Sequence, residues 1–84
     1  MASLTQIVAT KIREKRKQLG VTQAELGALL GCTVQLIQHY EKGICQMPIN
    51  MLNDLAILCK VPIDWFFLED HEILVYCFPL NEQQ

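Results

Sequence analysis

The sequence predicts an all-α domain of five helices followed by one short C-terminal β-strand. Three observations carry that reading. Between Thr22 and Gly43, apolar residues recur at helical spacing in two short runs hinged at Gly31. A longer amphipathic run, beginning at Leu4 and ending before Gly20, precedes them, and an apolar helical pattern from Met51 to Cys59 follows. The stretch from His71 to Pro79 then changes character, with β-branched and aromatic residues dominating until Pro79 closes it.

Each element has a local reason. Ser3 caps the first helix, with Gln6 at the capping-box position. Leu4, Val8, Ile12 and Leu19 mark its apolar face, Arg16 sits on the margin, the lysines take the solvated side and Gly20 stops it. Thr22 caps the second helix and Glu25, three residues on, completes a capping box. Leu26, Leu29 and Leu30 form its apolar side, and Gly31 tolerates the positive φ that a sharp helix exit requires. Thr33 caps the third helix, which buries Ile37 with Tyr40 or Leu36, turns Val34, Gln35, Gln38 and His39 outward, and ends at Gly43. Asn50 caps the fourth, stapled by Ile49, with Met51, Leu52, Leu55, Ala56, Leu58 and Cys59 facing the core. Pro62 opens a short fifth helix in which Trp65, Phe66 and Phe67 supply large apolar area.

A chain of 84 residues with 51% apolar content can bury one small core, with apolar surface left for an interface. The start of the chain turns charged before any apolar stretch forms, so no signal peptide is expected, and no apolar run reaches membrane-spanning length. A soluble, cytoplasmic protein is the expectation. The cysteines at 32, 45, 59 and 77 include no C-x-x-C pair and only two histidines accompany them, so neither a metal site nor a cofactor is expected. Cys45, in a loop, is the one candidate for a reactive thiol, and no redox role is assigned to it. An enzyme is the weakest reading, because His39 and His71 have no evident nucleophile or acid partner and no glycine-rich phosphate loop exists. The net charge is −2, yet residues 1–68 hold all seven basic residues against five acidic ones, a balance of +2. That division separates a mildly basic domain, 1–68, from an acidic and apolar tail, 69–84.

Two short helices around a glycine-bearing turn describe the helix-turn-helix, whose second helix enters the DNA major groove. Thr22, Gln23, Leu26, Gly27, Gly31, Thr33, Ile37, Glu41 and Gly43 fill the run T-Q-x-x-L-(small)-x-x-x-G-x-(Ser/Thr)-x-x-x-I-x-x-x-E-x-G. Leu52-x-x-Leu55-Ala56 and Val61-Pro62-Ile63-Asp64-Trp65-Phe66-Phe67 continue the match. Over roughly residues 8 to 68 the chain thus resembles the phage-repressor and Cro-like (XRE-type) DNA-binding domains, which implies a lambda-repressor-like fold. The resemblance also implies an internal ion pair between Arg16 and Glu41, with Arg16 able to reach backbone phosphate. It further implies that Gln23 contacts phosphate and braces a side chain of the recognition helix.

On that helix, which starts at Thr33, Gln35 is the best base reader because an amide can pair in two-point fashion with adenine. Val34 can pack on a thymine methyl, and Gln38 and His39 can reach base edges or phosphate. The following loop departs from the resembling family: it offers only Lys42 and then apolar side chains, with Ile44 and Met47 as an alternative partner surface. The tail strand needs a pairing partner for its backbone, and a second copy related by a two-fold axis supplies one. Ile73, Leu74, Val75, Tyr76 and Phe78, together with Trp65 and Phe67, are therefore the expected dimer residues; the alternative is a strand packed on its own helices. The leading expectation is a regulator, repressor in sense, that binds a palindromic site on double-stranded DNA as a homodimer. The alternatives are an antitoxin-like autoregulator with a toxin as protein partner, and a helix-turn-helix scaffold used only for protein association.

Overall fold

The computed structural model describes residues 3–68. Four α-helices appear in order: α1 (Leu4–Leu19), α2 (Gln23–Leu30), α3 (Val34–Lys42) and α4 (Ile49–Cys59). The expected fifth helix is a single 3₁₀ segment, Ile63–Phe67, so among the described residues there are four α-helices and not five. The strand expected between His71 and Pro79, with the proposed dimer residues Ile73, Leu74, Val75, Tyr76 and Phe78, lies outside the described residues.

Helix starts follow the side-chain oxygens. Ser3 accepts from the Gln6 N–H, Thr22 from Glu25 and Thr33 from Leu36. At α2 the box closes, because the Glu25 carboxylate also accepts from the Thr22 N–H at 2.8 Å. Gln6 has another neighbour: its amide lies where a β-carbon on Gly43 would stand, so α1 crosses closely over the end of α3. The start of α4 corrects the sequence reading. Its cap is Pro48, not Asn50, and no side chain bonds the first turn; Ile49 is helical and exposed rather than a staple. A fixed proline φ preorganises a helix start without any side-chain cap.

Three of the four helices exit through a left-handed glycine. Gly31 matters most, since α2 and α3 are joined there by only three residues and the Cys32 N–H closes the turn on the Gly27 carbonyl at 2.8 Å. Gly27 itself is confined. A β-carbon there would come within 2.7 Å of the Cys32 carbonyl oxygen, so the close α2–α3 approach requires a residue without a side chain. The fourth helix ends on Lys60, a non-glycine residue at φ 59°.

The core gathers Val8, Ile12, Leu26, Ile37, Tyr40, Met47, Leu52, Leu55, Ala56 and Phe66, one or more from each element and one from the α3–α4 loop. Several assignments shift. Met47 is only 2% exposed and belongs to the core, which leaves Ile44 alone at 64% exposure as an apolar loop residue. Leu4, Leu19, Leu29 and Leu58 lie on exposed surface, and Leu36 yields its core place to Tyr40. The reason is geometric: short helices crossing at angles bury only the residues at the crossing, not a whole apolar stripe. The lysine face of α1 is corrected as well. Lys11 is 3% exposed with its ammonium 4.5 Å from the Trp65 ring centre, and Lys15 lies 4.4 Å from the same ring. Trp65 meets Phe66 edge-on, so the 3₁₀ segment is fastened to α1 by an aromatic and cationic cluster.

Candidate nucleic-acid interface

Glu41 organises the region between α1, α2 and α3. Its Oε2 accepts from Arg16 Nε at 2.6 Å, and its Oε1 accepts from Arg16 Nη2 at 3.2 Å and from Gln23 Nε2 at 3.1 Å. Arg16 Nη1 meanwhile donates to the Val21 carbonyl at 3.1 Å. One guanidinium therefore joins α1, the α1–α2 connection and α3, while Gln23 adds the start of α2. The pair is well shielded, with 14% of the arginine and 4% of the glutamate side chain exposed. A two-point arginine–carboxylate contact in such surroundings fixes direction as well as distance.

Around this tie lies an open cleft of about 350 Å³ lined by Arg13, Arg16, Gln23, Glu41 and Lys42. Gln23 is the first residue of α2, where unpaired N–H groups and the helix dipole favour an anion. Three cations and one carboxylate line the cleft. Arg13 was absent from the residues that the sequence singled out; its i, i+3 relation to Arg16 on α1 is the signal that would have found it.

Helix α3 turns Ile37 and Tyr40 inward. Gln35, His39 and Lys42, spaced i, i+4, i+7, are exposed and form one outward line. Val34 and Gln38 are half-buried on its flank, and Thr33 is exposed at the head of the helix as its cap. The residues singled out on this helix are thus brought together on one side, while Arg16 and Gln23 stand at the adjoining cleft. Trp65 and Phe67 are half-buried and pack against the core.

Among the described residues, Cys32, Cys45 and Cys59 are free and do not converge on a site. Burial pushes the Cys32 thiol up, and it pushes Cys59 up against the opposing effect of nearby Lys15. Tyr40 is raised for the same reason, with smaller contributions from Cys45 and Cys32. These groups stay protonated at neutral pH. Among the described residues, no group of three histidine, cysteine, aspartate or glutamate side chains could hold a metal ion, and no helix is long and apolar enough to cross a membrane.

Comparison with known proteins agrees with this architecture. The helix-turn-helix family matches residues 12–66, and the chain belongs to that family in its XRE, Cro-like form. The chain is 40% identical over 60 residues to an uncharacterized HTH-type transcriptional regulator of Sinorhizobium medicae, and equally so to one of Rhizobium meliloti; each match covers 71% of this chain and 43% of the relative. An uncharacterized transcriptional regulator in the ATPase CF(0) region of Rhodospirillum rubrum is 37% identical over 60 residues, with 71% of this chain and 56% of that protein covered. The matched part thus spans about half the length of these relatives. The crystal structure of a hypothetical transcription factor, NHTF, from Neisseria superposes with a TM-score of 0.77 at 20% identity, covering 88% of this chain and 85% of that one; the likeness is one of fold.

Proposed function

We propose that this chain is a sequence-specific DNA-binding transcription regulator that represses from a palindromic operator as a homodimer. The observation that supports it best is the outward line Gln35–His39–Lys42 on a helix held rigid by the Arg16–Glu41–Gln23 tie. In the proposed complex α3 enters the major groove. Gln35 pairs in two-point fashion with an adenine, Val34 meets a thymine methyl, and Gln38 and His39 reach base edges or phosphate. Thr33, Lys42 and Gln23 position the helix against the backbone, and Arg16 contributes chiefly by holding Glu41 beside them. A dimer built through Trp65, Phe67 and the 73–78 segment would set two such helices about 34 Å apart, one turn of duplex. Each half is only mildly basic, so linking two halves raises affinity where a single one grips weakly.

The test is Gln35→Ala. Binding to the preferred site weakens by about 1–3 kcal/mol while binding to unrelated duplex stays unchanged. Equal losses on both DNAs would remove Gln35 from base reading.

A further inference from the structure

We propose that Arg13 and Lys42 form a two-cation clamp on one backbone phosphate of duplex DNA, so that α1 supplies the backbone grip that the loop after α3 lacks. This rests on the DNA-binding reading above and assigns a role to a residue of α1 outside the helix-turn-helix pair.

The seven basic residues sort themselves by what they touch. Lys11 and Lys15 lie over the Trp65 ring, and Lys15 also donates to Gln18. Arg16 is engaged by Glu41 and the Val21 carbonyl. Lys17 and Lys60 do not line the cleft. Arg13 and Lys42 do line it, both are exposed, and neither makes a hydrogen bond or ion pair among the described residues. The one carboxylate in the cleft, Glu41, is already matched by Arg16. Within the described residues, the charges of Arg13 and Lys42 are therefore left for an anion.

The shape and place fit a phosphodiester. The cleft, at about 350 Å³, is open to solvent and admits a backbone segment. An arginine fork suits phosphate oxygens in two-point contact and a lysine adds a compact second charge. Lys42 is the last residue of α3, seven positions after Gln35, which sets the clamp about 10 Å along the helix from the proposed base reader. A phosphate held there fixes the register of α3 in the groove without reading sequence. Between Gly43 and Pro48 no cation competes for the task.

The experiment measures binding of the full chain to a random-sequence duplex across a salt series, for the wild type, Arg13→Ala, Arg13→Lys and Lys60→Gln, with melting temperatures taken in parallel. Arg13→Ala should keep the wild-type melting temperature, bind about five- to tenfold more weakly near 0.1 M salt, and lower the slope of log affinity against log salt by less than about 0.9 per bound chain, because Lys42 stays on the same phosphate. Arg13→Lys should keep the slope, and Lys60→Gln should behave as wild type. The clamp is overturned if Arg13→Ala matches wild type in affinity and slope, or if Lys60→Gln loses as much. A wild-type chain that shows no salt-dependent binding to duplex would overturn the DNA-binding reading itself, and the clamp with it.

Discussion

Glu41 and Arg16 show how much of the interface depends on a single contact. Removing the arginine side chain leaves a carboxylate 4% exposed with only the Gln23 amide, and also frees the Val21 carbonyl. Arg16→Ala should therefore cost about 2–4 kcal/mol, the lower end reflecting the arginine's partial contact with solvent. For a domain of this size the melting temperature would drop by about 8–30 °C. An unchanged melting temperature would show that the pair does not hold the helices together. The pair was legible in the sequence because Arg16 and Glu41 occupy positions of a known pattern; composition and spacing alone would not have joined residues 25 positions apart. The fate of Lys11 was not legible. A lysine among lysines on an amphipathic helix reads as solvated, whereas here the Trp65 ring arrives over it from the far end of the domain.

Helix ends were the most readable elements, since threonine caps and glycine exits act within a few residues of chain. The exceptions are α4 and the last segment. Pro48 replaced Asn50 as the α4 cap, Lys60 took the left-handed exit that glycine takes elsewhere, and a 3₁₀ turn stands where an α-helix was expected. Five residues between Pro62 and Leu68 leave too little length for a regular helix to gain from its hydrogen bonds. The α2–α3 turn offers the sharper test of local packing. Gly27→Ala places a methyl 2.7 Å from the Cys32 carbonyl oxygen, a backbone atom that can yield only by opening the turn. Chemical denaturation should show a loss of about 1–3 kcal/mol, the usual cost of overpacking. A neutral or stabilising alanine would mean that α2 and α3 approach less closely than described.

The domain as a whole is mildly basic, +2 over residues 1–68 within a chain of −2. That imbalance makes a second copy central to the proposed function, because one such domain neutralises few phosphates. A chain truncated after Asp70 should sediment as a monomer and lose most of its affinity for a two-fold site; a persisting dimer would take the tail out of the interface. The proposed assembly has the weakest sequence signal, as a symmetry partner leaves no short-range pattern beyond unclaimed apolar residues such as Ile44, Ile57 and Leu58. The most direct test of the central claim is selection of preferred sites from random duplex DNA by the full chain. The account predicts an enriched palindrome whose half-site centres lie about 10 base pairs apart. A folded chain that enriches no sequence over the starting pool would contradict it.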